Sequence, residues 1–160
     1  MTEFVDGIND HRKRISYINE AVLENNVKKL EIGLKADDVK IDEKDEEGFT
    51  TLMRAVLNNQ PECIKVLLKY NAALEIGNND GATALMLACH EGFASCIQLL
   101  LEHGEKLSFS NARTDVNFTT PYGVTALMVA ALKGDLLCVR FLCDHLAVVD
   151  VQNDVGIVRY

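Results

Sequence analysis

A chain of 160 residues with 48% hydrophobic side chains, no Trp and a net charge of −8 is sized for one ordinary core. Its acidity argues against DNA or RNA as a partner, because nucleic-acid affinity rests on neutralising phosphates. No apolar run approaches the length of a membrane-spanning helix.

In chain order, residues 1–15 hold the basic cluster His11-Arg12-Lys13-Arg14, which reads as a solvated helix end beside Asp10. Ser16 is placed to cap a helix, and residues 16–35 predict a helix pair whose Glu20, Glu24, Lys28, Lys29, Glu31 and Lys35 face water. An acidic turn follows, with Asp37, Asp38, Asp42, Glu43, Asp45, Glu46 and Glu47 partly offset by Lys40 and Lys44. Such a turn is solvated, and its charge is suited to steering a basic partner segment.

One phrase then occurs three times, at Gly48-Phe49-Thr50-Thr51-Leu52-Met53-Arg54-Ala55, from Gly81 to Ala88 and from Gly123 to Ala130. Each predicts a turn and a first helix, and second helices follow at Cys63 to Lys69, Cys96 to Glu102 and Cys138 to Asp144. Leu85, Ala88 and Cys89 stand at i, i+3, i+4, as do Ile97, Leu100 and Leu101, so each helix carries one apolar stripe. Ala55, Ala88 and Ala130 share a register position where a small side chain lets helices approach closely. Glycines 48, 81, 123 and 156 suit a turn needing positive φ, and Gly92, Gly134 and Asn59 suit a left-handed helix end. A further turn opens at Asn153-Asp154-Val155-Gly156.

Gly48 to Gly81 spans 33 residues, Gly123 to Gly156 spans 33 again, and Gly81 to Gly123 spans 42, one period plus nine. A unit that cannot bury its own apolar face stacks on a copy of itself. A 33-residue period carrying Thr-x-Leu-x-x-Ala resembles the ankyrin-repeat family. Matching positions are Gly48, Thr50, Leu52 and Ala55; Gly81, Thr83, Leu85, Ala88 and Gly92; and Gly123, Thr125, Leu127, Ala130, Ala131 and Gly134.

The resemblance implies an all-α ankyrin-repeat solenoid of stacked antiparallel helix pairs with short β-turn or hairpin fingers. It implies a single domain over 1–160: a degenerate capping repeat at 1–44, repeats at 45–77, 78–119 and 120–152, and the start of a truncated repeat at 153–160. The cap rests on Ala21-Val22-Leu23, which echoes Ala55-Val56-Leu57, and on Leu30 and Leu34, which match Ile64 and Leu68. The nine extra residues fall near 105–113, between Gly104, which stands where the family turns after its second helix, and Asp115-Val116-Asn117. They lengthen one finger and offer Lys106, Phe109 and Arg113 for contact, with Ser108, Ser110 and Thr114 open to modification.

The chain departs from the family at Thr51, Ala84 and Ala126, where proline is usual, and at Met53, Met86 and Met128, where histidine is usual. The family's Thr–His hydrogen bonding is thereby lost, and methionine at core spacing reads as an adaptable apolar filler rather than a ligand set. Cys63, Cys96 and Cys138 share one buried register position, Cys89 takes a small-residue place, and Cys143 takes the place of Leu68 and Leu101. Five cysteines without close pairs favour a reducing compartment over a disulfide framework. A zinc site from Cys89, His90, Cys96 and His103, or a Cys89 nucleophile beside His90, is the weaker reading, and no metal or cofactor is expected. His103 and His145 suit helix C-termini, and Asn117-Phe118-Thr119 reads as turn sequence rather than a glycosylation site. With no phosphate-binding or hydrolase motif either, no enzyme is expected. The first residues lack the pattern of a signal peptide, so the cytoplasm, or the nucleus, is the expected location.

In the family, partners lie on a concave surface of fingers and first helices. Carried through the register, its variable positions here include Glu46, Glu47, Phe49 and Asn58; Asn79, Asp80, His90 and Glu91; and Tyr122 and Lys133. Phe49 and Tyr122 lead, because aromatic anchors concentrate binding energy. The expected function is a protein–protein interaction module acting as scaffold, adaptor or stoichiometric inhibitor. The alternative is the regulatory or targeting array of a larger enzyme such as a kinase or acyltransferase. Leu132, Leu136, Leu137, Val139, Phe141 and Leu142 make the third full repeat as apolar as an internal one, so the expected open face either continues into further repeats or self-associates.

Overall fold

A computed structural model describes residues 11–35, 39–106 and 115–152, with the side chains of residues 11, 12, 105 and 106 excepted. Among these residues there are eight helices and no strand. The helices are α1 His11–Leu23, α2 Val27–Leu34, α3 Thr51–Leu57, α4 Pro61–Lys69, α5 Ala84–Glu91, α6 Ala94–Lys106, α7 Ala126–Leu132 and α8 Leu136–Asp144. The chain forms two compact units, Met1–Ala73 and Leu74–Tyr160.

In the first unit α1 folds back on α2 and α3 on α4, while α1 packs on α3 and α2 on α4. Its core is Ile18, Ala21 and Val22 of α1, Leu30 and Leu34 of α2, Leu52, Met53 and Val56 of α3, and Cys63, Ile64 and Leu67 of α4. In the second unit α5 pairs with α6 and α7 with α8, and α5 packs on α7 and α6 on α8. Leu85, Met86, Ala88, Ile97, Leu100, Leu127, Met128 and Leu142 fill that core. Each large aliphatic side chain fully removed from water contributes about 1.5–3 kcal/mol. Ala55, Ala88 and Ala130 are wholly buried, as their shared register required.

The turn within each helix pair repeats one device. Asn26, Gln60, Phe93 and Asp135 each donate a backbone N–H to the carbonyl five residues back, on Ala21, Ala55, Ala88 and Ala130. The residue just before each donor, Asn25, Asn59, Gly92 or Gly134, is left-handed, so the last carbonyls of the helix are satisfied as it ends. Asn25 stands 34 residues before Asn59, in the stretch Ala21 to Asn26 that echoes Ala55 to Gln60, and it shows that the upstream pair uses the same turn as the clear repeats. The fingers also share a geometry. Gly48, Gly81 and Gly123 have positive φ and donate to Asp45, Asn78 and Thr120, whose own N–H groups bond to Phe49, Ala82 and Val124.

Thr50, Thr83 and Thr125 cap α3, α5 and α7, each hydroxyl accepting from the N–H of the methionine three residues on, at 3.3, 3.4 and 3.2 Å. Methionine also takes part through its sulfur in the first of these, where Thr50 N–H donates to Met53 Sδ at 3.5 Å. The threonine thus keeps a capping role although the family's histidine is missing.

Several expectations are corrected. Among the described residues α1 already runs from His11, so Ser16 lies inside the helix and is not its N-cap. No Pro or Gly interrupts residues 11–23, and Arg14 joins Ile18 on the buried face one turn away, so the helix propagates upstream. Arg14 is therefore buried rather than solvated. Lys29 is only half-exposed, bridging Glu20 at 2.8 Å and Glu24 at 3.1 Å. Gly104 does not end a helix either; α6 runs on to Lys106. Extra chain before Asp115 removes the need to reverse at Gly104, and propagating a helix adds a hydrogen bond per residue. The rest of the insertion, Phe109 and Arg113 included, lies outside the described residues, as do Asp37, Asp38 and 153–160.

Leu146 occupies the equivalent of Asn71, just past a second helix, with φ of +66°. A branched side chain there costs about 1–2 kcal/mol. Leu146 is 78% exposed, so no burial offsets the strain. Leu146→Gly is expected to stabilise the protein by about 0.5–1 kcal/mol after the extra unfolded-state freedom of glycine is counted. A thermal unfolding midpoint unchanged or lowered by the substitution would contradict this.

Candidate functional site

In the first unit the finger is built around Asp45. Its Oδ1 accepts from the N–H groups of Glu47 and Phe49 at 3.0 and 2.9 Å, and its Oδ2 receives the Arg54 guanidinium at 2.6 and 2.7 Å. Partial burial pushes the Asp45 carboxyl up, but the Phe49 N–H and the Arg54 guanidinium outweigh it, holding the group below its ordinary value. Arg54 also reaches Glu47 at 3.0 Å and lies 4.6 Å from the Phe49 ring centre. Phe49 is consequently half-buried against its own repeat, a stacking invisible in the register argument.

Glu46 and Glu47 are exposed at this tip. Asn58, exposed at the far end of α3, donates its side-chain amide to Arg54 O at 2.8 Å and so helps close the helix. Of the other residues of this turn, Asp42 accepts from Ala73 N–H at 2.8 Å, and Glu43 and Lys44 are exposed to solvent.

Between α1 and this finger lies a groove of about 700 Å³. Ile15, Asn19, Glu20 and Leu23 line one side and Glu43 to Glu46 the other. Leu23 is 65% exposed. Its spacing of four from Asn19 and eight from Ile15 puts the three along one side of α1, while Ile18, Ala21 and Val22 fill the core.

In the second unit the corresponding finger is held by Asn78, whose Oδ1 accepts from Asp80 and Ala82 N–H at 3.0 and 2.9 Å, leaving Asn79 and Asp80 at an exposed tip. Thr120 plays the same part in the next finger, accepting from Tyr122 and Val124 N–H. Tyr122 is 64% exposed at that tip. These two fingers touch, since a Cβ at Gly81 would collide with Pro121 Cδ. His90 and Glu91 end α5 together, exposed, with His90 Nδ1 2.7 Å from Glu91 Oε1, and Lys133 is exposed at the end of α7, which packs on α5. Asn117 ties its turn to the end of α8, accepting from Val148 N–H at 2.7 Å and donating to Leu146 O.

The buried thiols are held protonated. Burial pushes the Cys89 thiol far up, with Cys138 and Asp135 adding to it, and burial alone pushes Cys96 to about 11. Cys138 is pushed up to about 12 by burial and by its 2.8 Å bond to Asp135, the residue that caps α8. That thiol in turn holds Asp135 below its ordinary value. His145 closes α8, its Nδ1 2.7 Å from Phe141 O, as its place near the helix end suggested. Cys143 departs from expectation: it is exposed although Leu68 and Leu101 at the same register are buried. Burial at a register position needs a neighbour over it, and α8 packs chiefly against α6 and α7. No group of three or more His, Cys, Asp or Glu able to hold a metal occurs among the described residues. No helix among them is long and apolar enough to cross a membrane.

The comparisons agree with this geometry. A family model for ankyrin repeats in three copies matches residues 18–111, and a single-repeat model matches residues 122–154. No curated protein matches the chain. Ankyrin repeats are in general protein–protein interaction modules and are typically non-catalytic. With capped helix pairs, left-handed turns and glycine-closed fingers recurring in the matched register, the chain belongs to the ankyrin-repeat family.

Proposed function

We propose that the protein is a non-enzymatic interaction module, a scaffold, adaptor or stoichiometric inhibitor, that binds another protein through its fingers and the ends of its first helices. The observation that carries this is the contrast within each repeat. The recurring threonine, leucine, methionine and alanine positions are buried, while Glu46, Asn79, Asp80, His90, Glu91, Tyr122 and Lys133, which do not recur, are exposed. Tyr122 is the lead anchor: a large amphipathic ring held outward by a hydrogen-bonded turn loses little freedom on binding. Phe49, stacked on Arg54, is a secondary one. Affinity capture from cell extract is expected to retain partner proteins on the intact chain and to weaken at least about tenfold with Tyr122→Ala. The melting temperature should not move, because the ring is mostly in water. Equal capture by Tyr122→Ala and by Phe49→Ala/Tyr122→Ala would overturn the assignment of these anchors.

The free buried thiols Cys63, Cys89, Cys96 and Cys138 support a cytoplasmic or nuclear location, which imaging of the tagged chain would test. A second contact is part of the same proposal. Leu132 and Leu136, 86% and 81% exposed, and Leu137 beside them form an apolar face on α7 and α8. Such a face favours association with a second copy. Sedimentation is expected to show concentration-dependent self-association that Leu136→Glu abolishes. A wild-type monomer at high concentration would remove this contact.

A further inference from the structure

We propose that Glu75 is a proton-operated latch that sets how firmly the turn leading into the Tyr122 finger is held to the repeat before it. One tie recurs from repeat to repeat. Asp42 accepts from Ala73 N–H at 2.8 Å, Glu75 from Asp115 N–H at 2.9 Å and Asn117 from Val148 N–H at 2.7 Å. Glu75 stands 33 residues after Asp42, and Asn117 stands 42 after Glu75, one period plus the nine of the insertion. The donors lie 31, 40 and 31 residues further on, so the same place in the fold is held each time and the insertion is bridged at the second. Asp115 opens the turn that runs through Phe118 and Thr120 to Tyr122.

The chemistry of the tie differs at Glu75. Asn117 is a neutral amide that accepts from Val148 N–H and donates to Leu146 O, so its polarity is matched without a charge. Glu75 is a half-buried carboxyl, and among the described residues the charge that acts on it is a like one, that of Asp115. Asp115 is exposed, its own Oδ1 accepting from Asn117 N–H at 2.9 Å. An ionised Glu75 therefore holds a charge partly out of water with no opposite charge to offset it. A protonated Glu75 keeps a carbonyl oxygen for Asp115 N–H and loses both the burial cost and the repulsion. Burial pushes its carboxyl above the ordinary value; the Asp115 N–H works against this, and the Asp115 charge adds to it. A carboxyl raised in the folded state contributes its full stabilisation below the ordinary carboxylate range and loses it as pH rises through the folded value. The latch is thus firm in acid and looser at neutral pH, while the Asn117 tie carries no such proton.

Amide hydrogen exchange of the intact chain, followed by NMR from about pH 4 to about pH 7.5 and divided by the unstructured-chain rate at each pH, tests this. In the wild type, protection of Asp115 N–H relative to Val148 N–H is expected to fall about two- to tenfold as pH rises, the range set by the net worth of one hydrogen bond. Glu75→Gln keeps the acceptor without the ionisable group, so its ratio should stay flat and match the wild type in acid. Glu75→Ala has no acceptor and should lose protection at Asp115 at every pH. The ratio to Val148 removes the titration of the other carboxylates, and circular dichroism identical to wild type establishes that the variants fold. A wild-type ratio independent of pH, or the same pH dependence in Glu75→Gln, would overturn the proposal. So would a folded Glu75→Ala as well protected at Asp115 as the wild type; were that variant unfolded, the glutamine comparison decides.

Discussion

Gly81→Ala is expected to destabilise the protein by about 2–5 kcal/mol, read from urea unfolding followed by circular dichroism. Two effects add. Gly81 has φ of +81°, where an L side chain costs about 1–2 kcal/mol. Its new Cβ would also collide with the ring of Pro121 in the next finger, and overpacking typically costs about 1–3 kcal/mol more. The two are separable, because Gly134 has nearly the same φ, +70°, and nothing within 4 Å of an added Cβ. Gly134→Ala should therefore lose only the backbone part, about 1 kcal/mol. Equal losses at both glycines would mean that the finger contact carries no weight. The finger holding Asn79 and Asp80 adjoins the one holding Tyr122, so Gly81→Ala should also weaken partner capture without touching either tip.

Met53→Ala is expected to cost about 2–5 kcal/mol, and Met53→Leu less than about 1.5 kcal/mol. Met53 is wholly buried, and its removal leaves a cavity in the first unit as well as taking the sulfur from Thr50 N–H. The leucine variant keeps most of the volume and loses only a weak acceptor, so the pair separates packing from capping. Since whole domains are stable by about 5–15 kcal/mol, the alanine variant should be visibly less stable at ambient temperature. A Met53→Ala protein within 0.5 kcal/mol of wild type by urea titration, a margin of roughly the scatter among neutral surface changes, would remove methionine from the core. The same reasoning covers Met86 and Met128, both buried at the equivalent position.

The interaction surface was legible as register and not as state. Reading the repeat placed Glu46, Asn79, Asp80, His90, Glu91, Tyr122 and Lys133 outside, because a position that does not recur is not needed for stacking, and these are exposed. It did not show that Asn58 helps close its own helix or that Phe49 is held by Arg54. Those contacts depend on side chains of one repeat finding each other, which a family pattern averages away. The groove is not legible in the sequence because its walls come from segments some twenty residues apart, a helix of the degenerate first repeat and an acidic turn, and only folding brings them together. Thr50, Thr83 and Thr125 stand in plain register, but the family pattern pairs the threonine with a histidine that is absent here, and only the structure shows each hydroxyl accepting from a backbone N–H.

By itself the sequence determined the family, the helix pairs, the left-handed turns at Asn59, Gly92 and Gly134, and the core identity of the methionines and of Cys63, Cys89, Cys96 and Cys138. These follow from local hydrogen bonding and from a period that repeats the same apolar stripe, and both are written in residue spacing. Only the tertiary structure decided that Arg14 is buried, that Cys143 is exposed, that α6 continues past Gly104, and that Leu23 looks into a groove. Each of these turns on what lies across from a residue rather than on its own register, and burial is a property of the pair.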